Sequence, residues 1–118
     1  MEAEVNTENT VVRLVADEYA SKILRTTYGQ ALSVQQISKQ CSIPIAVAYR
    51  RVGILEKAGL LRCVRQEEVF RGKKVRYFQC AVKMVKVVFC DGQFLVEVAW
   101  LPEEELFGQT PIAEGAKS

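Results

Sequence analysis

The sequence lacks histidine altogether, and its four cysteines, Cys41, Cys63, Cys80 and Cys90, form no CxxC pair. Zinc sites normally use close cysteine or histidine pairs, so we expect buried, reduced thiols and no metal. A redox or soft-metal sensor assembled in three dimensions is the alternative. The chain also lacks a nucleophile elbow, a phosphate-binding glycine loop and paired carboxylates in an apolar setting. We therefore expect no enzyme activity, no cofactor and no small-molecule substrate.

Long apolar runs are missing as well: no stretch approaches the roughly 20 residues that span a bilayer. The first ten residues, "MEAEVNTENT", are acidic and polar, unlike a signal peptide. These two absences predict a cytoplasmic protein that does not insert into membranes. The chain has 118 residues, about half of them hydrophobic, which suits one compact domain with a modest core.

Basic residues are scarce at the two ends of the chain and acidic residues are scarce in its middle. The net charge of only +2 hides this uneven distribution. Residues 1–20 carry five acids and one base, residues 21–86 carry fourteen bases and three acids, and residues 87–118 carry six acids and one base. A basic middle section of this kind is the electrostatic pattern of a protein that binds a polyanion. An ordinary solvated surface mixes the two signs more evenly.

Helical periodicity predicts three helices before residue 60. One helix is expected from near Thr10 to Gly29, with an apolar stripe formed by Val12, Val15, Tyr19, Ile23, Leu24 and Tyr28. A second helix follows Ser33, because "SVQQ" has the spacing of a capping box, and its apolar face is Val34, Ile37 and Cys41.

The third predicted helix has Pro44 at its first position and ends at Gly59. Ile45, Ala48, Val52 and Leu55 share its apolar side. Two short helices joined by three or four residues are typical of a helix-turn-helix.

After Gly59 the pattern is that of strands. "LLRCVRQEEVF" and "KKVRYFQC" flank "RGKK" and predict a hairpin with a cationic tip. "VKMVKVVFC" and "FLVEVAW" flank Asp91-Gly92, the signal of a type I′ turn, and predict a second hairpin. The expected register places Phe89 opposite Phe94, Val87 opposite Val96 and Val85 opposite Val98 on one apolar face, with Lys86 opposite Glu97 on the other. That apolar face should cover the core or a second subunit.

The outer side of the third predicted helix carries the candidate binding residues. Arg50 points away from the core and is suited to a bidentate contact with guanine, while Tyr49 and Arg51 are suited to phosphates. Gly53 on this side allows close approach of a phosphate backbone or a neighbouring chain, or has no special role. Arg71, Lys73, Lys74 and Arg76 cluster near the tip of the first hairpin. If helix and hairpin neutralise about six phosphates, the salt slope should lie near −5. The alternative for the tip is a solvated loop whose lysines block edge pairing.

"IPIAVAYRRVGILEKAGLL" followed by "FRGKKVRYFQ" resembles the recognition helix and wing of winged helix-turn-helix regulators, particularly ArsR-like proteins from archaea. The resemblance implies a dimeric transcription regulator that binds double-stranded DNA. By position, Ala46 to Arg51 would enter the major groove and Lys73, Lys74 and Arg76 would form the wing. Ala46 and Val47 stand where relatives often have hydroxyl residues, and the paired metal ligands of the metal-sensing members are missing. A second hairpin replaces the terminal helix that often dimerises such proteins.

These observations define the expected organisation. The fold class is α+β, a winged helix-turn-helix with a three-helix core, a β-wing and an additional C-terminal hairpin. Residues 1–9 and 108–118 are expected to be disordered, residues 10–81 to form the DNA-binding domain, and residues 82–107 to form an extension that packs on the core or makes a dimer contact. Two other functions stay open: a winged-helix protein-interaction module of a transcription or replication assembly, and a non-specific chromatin protein.

Overall fold

A computed structural model of the chain describes residues 10–107; both segments predicted to be disordered lie outside the described residues. The described chain forms helices followed by two antiparallel hairpins. The helices are α1 (residues 10–16), α2 (Glu18–Thr26), α3 (Val34–Cys41) and α4 (Ile45–Lys57). The strands are β1 (Leu61–Glu68), β2 (Lys74–Cys80), β3 (Val82–Cys90) and β4 (Gln93–Trp100). The α+β class is therefore confirmed.

The single helix predicted from Thr10 to Gly29 is wrong, because the chain breaks at Asp17. Asp17 has an extended backbone (φ −79°, ψ 127°), and its carboxylate accepts a hydrogen bond from the Ala20 N–H at 2.8 Å. Aspartate is a strong N-cap residue, so it starts α2 instead of continuing α1. The break changes the buried stripe: Tyr19 and Tyr28 are exposed, and the buried residues of α1 and α2 are Val11, Leu14, Ala20 and Ile23.

The helix-turn-helix forms as the local signals predict. The Ser33 hydroxyl accepts from the Gln36 N–H, and the Gln36 side chain accepts from the Ser33 N–H, which completes the capping box. The expected face of α3 is buried. In α4, Ala48, Val52 and Leu55 are buried, but Ile45 is 43% exposed because the first turn projects from the core. Pro44 precedes the helix and is not its first residue.

Gly59 ends α4 in the left-handed conformation, with φ of +86°. The Gly59 N–H donates to the Glu56 carbonyl and the Leu60 N–H donates to the Leu55 carbonyl, both at 3.0 Å, the pairing of a Schellman motif. The chain then enters β1 at Leu61, which is paired with Cys80 of β2. This exit fixes where the first hairpin, the wing (residues 61–80), leaves the core beside α4.

The second hairpin has the register that the sequence predicts. Phe89 pairs with Phe94, Val87 with Val96, Val85 with Val98 and Lys86 with Glu97, and the Phe89 and Phe94 ring centroids are 5.0 Å apart. Asp91 and Gly92 both have positive φ, as a type I′ turn requires. Val85, Val96 and Val98 pack against the core. Further out the hairpin extends beyond the core and is exposed.

The segment after β4 folds back onto the wing strand β2. Gln79 is buried, donates from Nε2 to the Glu105 carbonyl at 3.1 Å, and accepts from the Phe107 N–H at 2.8 Å. Leu106, between these two anchors, is also buried. The short 3₁₀ turn Glu103–Glu105 leads into these contacts with Gln79.

Candidate nucleic-acid interface

Helix α4 presents three different sides to its surroundings. Ala48, Val52 and Leu55 fill the core. On the side next to the buried one, Tyr49 and Gly53 face the wing and line a cleft between α4 and the wing. Ala46 and Arg50 lie further round, at the exposed outer side, and Arg50 makes no ion pair with any described residue. The outer side of α4 is therefore open for binding.

Arg51 lies at the other edge of α4 and is bound to Asp17. Its Nε and Nη2 donate to the two carboxylate oxygens of Asp17 at 2.9 and 3.2 Å, and its guanidinium carbon lies 5.6 Å from the Tyr19 ring centroid. The Arg51 side chain is only 20% exposed. The sequence predicted that Arg51 holds phosphate, but in the structure it joins α4 to the start of α2.

The Arg51–Asp17 pair has a clear electrostatic signature. The hydrogen bond from Arg51, with the Ala20 N–H, holds the pKa of Asp17 below its usual value, and Asp17 raises the pKa of Arg51. Asp17 thus caps α2 and fixes α4 with one carboxylate. Nothing local in the sequence marks this pair, because the partners are separated by 34 residues.

The wing brings its cations to the same side as Tyr49 and Gly53. Lys73 and Lys74 are exposed, and both border a cleft of about 540 Å³ between the wing and α4. Arg71 lies at the tip, in the 3₁₀ turn Phe70–Gly72. The cleft also reaches the N-terminal turn of α3 at Ser33 and Gln35. Helix and wing therefore form one continuous surface.

Arg76 is paired within the chain although it borders the same cleft as Lys73 and Lys74. It is bound to Glu56 of α4, and its guanidinium carbon lies 4.9 Å from the Phe78 ring centroid. Glu56 raises the pKa of Arg76 above its usual value. The sequence placed Arg76 among the cations of the wing that contact DNA. In the structure its charge is matched by Glu56, and the pair joins the wing to α4.

Two residues of this surface were missed by the sequence interpretation. Glu56, the partner of Arg76, looks like any exposed acid of a helix until β2 is placed beside it. Phe70, at the wing tip, is 76% exposed. An aromatic residue inside the turn "VFRGKK" is unusual, and that was the available signal.

Helices α2, α3 and α4 in this arrangement, followed by a hairpin that leaves at the end of α4, form a winged helix-turn-helix. A family model described as a helix-turn-helix domain matches residues 15–64, less than half of the 118-residue chain. The match supports a DNA-binding helix-turn-helix regulator in general terms. No curated protein matches the chain.

Membrane-spanning helices and metal-binding clusters are both missing from residues 10–107. No helix in that range is long and apolar enough to cross a membrane. The same range contains no group of three or more cysteines, aspartates or glutamates arranged to hold a metal ion. All four cysteines are free thiols: Cys41 and Cys80 are buried, Cys63 is half-buried and Cys90 is exposed at the end of β3.

The variant Asp17→Asn tests whether the ion pair between Asp17 and Arg51 stabilises the chain. Asparagine keeps the N-cap but loses the charge pair, so the variant should be less stable by about 0.5–1 kcal/mol at neutral pH. Because the folded-state pKa of Asp17 is lowered, its contribution is present above the unfolded value near 4 and is lost as pH falls through the folded value. Urea unfolding over a pH series should show the two proteins converging in acid. Glu18→Gln, a change at the next residue, is the control. A difference in the free energy of unfolding between the wild type and Asp17→Asn that stays constant with pH would contradict the assignment.

Gly53→Ala separates stability from binding. A Cβ built at Gly53 meets no atom within 4 Å, so alanine should stabilise α4 by about 0.5–1 kcal/mol. The same methyl group would project into the cleft between α4 and the wing, and if a DNA backbone occupies that cleft, duplex affinity should fall several-fold. Thermal melting and fluorescence anisotropy measure the two effects. Gln40→Ala on α3 is the control, and unchanged affinity in Gly53→Ala would show that the glycine has no role in binding.

Proposed function

We propose that this chain is a sequence-specific, double-stranded-DNA-binding transcription regulator of the ArsR-like type found in archaea, acting in the cytoplasm without enzymatic activity. The observation that carries the proposal is the cleft that joins Tyr49 and Gly53 of α4 with Lys73 and Lys74 of the wing. In this proposal α4 enters the major groove and the wing follows the adjoining phosphate backbone. Occupancy of a promoter then blocks or recruits polymerase.

The outer side of α4 suits base contacts. Arg50 is exposed and has a planar fork of donors that fits the O6 and N7 atoms of guanine. Ala46 and Val47, at the first turns of the helix, offer methyl groups to thymine. Tyr49 is 57% exposed beside the cleft, so its hydroxyl is available to a phosphate oxygen. Arg51 supports this face by positioning the helix.

The number of unmatched cations sets the expected salt dependence. Of the six basic candidates, Arg51 and Arg76 are bound to acids of the same chain, which leaves Arg50, Arg71, Lys73 and Lys74. Each phosphate neutralised on B-DNA contributes about −0.9 to the slope, so one copy of the chain should give roughly −3.6. This value replaces the steeper slope expected from sequence.

We further propose that the β3–β4 hairpin joins two copies of the chain. A two-stranded hairpin alone is only marginally stable in water, and here Phe89 and Phe94 are 65% and 64% exposed beyond the core. Val88 and Leu95, on the opposite face, are exposed too. The hairpin end is therefore apolar on both sides, whereas the sequence interpretation identified only one apolar face.

A second copy fits this end by area. Phenylalanines bury roughly 150–250 Å² each, and about two thirds of each ring is still exposed here, so four rings from two copies would supply on the order of 500 Å² of the about 1,200 Å² that a stable interface needs. The exposed valines beside the rings would add to this area on both hairpins.

Selection of bound sites from a random duplex pool tests the function. A regulator should enrich one motif, arranged as two half-sites roughly one helical turn apart if the chain is a dimer. Arg50→Ala should relax preference at one position by about 1–3 kcal/mol, whereas Lys73→Ala should weaken all sequences and reduce the slope by about 0.9 per copy. Arg25→Ala, an exposed cation of α2, is the control. Tight binding with no enriched motif would instead indicate a non-specific chromatin protein.

The double change Phe89→Ser and Phe94→Ser tests the hairpin interface. Sedimentation equilibrium should show a dimer for the wild type and a monomer for the variant, because the rings that the second copy covers are removed. Tyr28→Ser, which removes an exposed aromatic ring from the turn after α2, should leave the dimer intact. A wild-type chain that stays monomeric at the highest concentrations, or a double variant that stays dimeric, would contradict this interface.

A protein-interaction module of a transcription or replication assembly is the second candidate. The observation that favours it is the same apolar hairpin end, together with the methyl-rich start of α4 at Ala46 and Val47. Such a module would show little affinity for duplex DNA at physiological salt. The salt series that measures the slope therefore separates the two functions.

A further inference from the structure

The wing tip carries an aromatic ring with no place in the fold. Phe70 is 76% exposed, the most exposed large hydrophobic side chain among residues 10–107. It lies at the far end of a hairpin, where no other element of the described chain covers it. Exposed apolar residues are common singly, but a phenylalanine this exposed beside cations at a hairpin tip offers a binding partner both an apolar and a charged contact.

The backbone of the tip holds this ring in a defined position. Arg71 has φ of +61° and Gly72 has φ of +74°, so two successive residues are left-handed. Arginine adopts that conformation only at a cost, which indicates that the turn is fixed by its surroundings. The Val69 N–H donates to the Lys73 carbonyl at 2.6 Å and the Lys73 N–H donates to the Phe70 carbonyl at 3.3 Å, closing the turn. Phe70 is therefore presented on a short, closed loop.

Cations outnumber acids around the ring: Arg71, Lys73 and Lys74 face Glu67 and Glu68 of β1, and Glu68 is paired with Lys74 across the hairpin. The Arg71 guanidinium carbon lies 5.1 Å from the Phe70 ring centroid, and Lys73 and Lys74 follow within four residues. An apolar protein surface would have to desolvate these charges, whereas a polyanion that also offers flat apolar groups matches both features. Stacked bases between two phosphate backbones have that combination.

The ring also stands at the outer end of the wing. Arg76 joins β2 to α4 through Glu56, and β2 extends only two more residues toward the tip, about 7 Å, as far as Lys74. The turn Phe70–Gly72 then carries the ring beyond the end of the strand.

We propose that Phe70 is a wedge that enters the minor groove and inserts its ring partly between the bases of one base-pair step, with Arg71 lying in the groove beside it. This inference rests on the proposed function and adds to it a residue that distorts the DNA. Apolar side chains used in this way unstack a step and bend the duplex toward the major groove. Flexible pyrimidine–purine steps would be preferred at that position, although no hydrogen bond reads them.

The experiment uses the selected site with 2-aminopurine placed at successive positions of the flank and with donor and acceptor dyes at its ends. Binding of the wild type should raise the 2-aminopurine fluorescence at one step and increase energy transfer through bending. Phe70→Ala should lose both signals and bind on the order of tenfold more weakly, with the salt slope unchanged because no cation is removed. Phe70→Trp should keep both signals, and Phe107→Ala, an exposed ring outside the wing, is the matched control.

The outcomes separate this proposal from the function on which it rests. If the wild type binds its site but Phe70→Ala gives the same fluorescence and bending, the wedge is wrong and the regulator stands. A wild type with no duplex affinity overturns both. If Phe70 is instead required for binding vesicles with anionic headgroups while its loss leaves DNA distortion intact, the ring contacts a lipid surface and the proposal also falls.

Discussion

The contact between Arg76 of the wing and Glu56 of α4 determines whether helix and wing act as one surface. A hairpin of this length joined to the core only at its base would be free to pivot. The ion pair, with Arg76 packed over Phe78, ties the wing to the helix partway along its length. Arg51 and Asp17 do the same on the other edge of α4. Helix α4 is thus held from both sides by arginines whose charges are matched inside the chain.

This arrangement changes the meaning of the basic middle section. The sequence shows eleven net positive charges between residues 21 and 86, which suggests a broad attraction to polyanions. Among those residues, Arg51, Arg62, Arg65 and Arg76 form ion pairs within the described chain, whereas Arg50, Arg71, Lys73 and Lys74 form an open group at the outer face of α4 and the wing tip. Each exposed ion pair contributes little stability, so the role of the Arg51 and Arg76 pairs is to hold α4 and the wing in position. A modest number of open cations favours binding that depends on shape and base contacts as well as on charge.

The sequence predicts those features that are determined by residues close together in the chain, and it misses those that depend on distant residues. The Ser33–Gln36 capping box, the Asp91–Gly92 turn and the register that follows from it were all predictable, because a few adjacent residues determine each of them. The break at Asp17 was missed since helical periodicity continues across it while the N-cap preference opposes it. The partners of Arg51 and Arg76 lie 34 and 20 residues away and become visible only once the helices and strands are packed. The exposed ring of Phe70 could be suspected from the turn but not positioned.

The apolar end of the second hairpin bears on affinity as well as on assembly. Four open cations on one copy provide only a limited share of the counterion release that supports tight binding at physiological salt. Two copies joined through their hairpins would double those contacts and convert the second half-site encounter into an intramolecular one. The hairpin end lies outside the core, and residues 101–107 return to β2 without covering it, since Leu106 is buried and Gln79 holds Glu105 and Phe107. Among residues 10–107, none covers this surface, and for a DNA-binding protein with few unmatched cations, a second copy is the partner that would strengthen binding most directly.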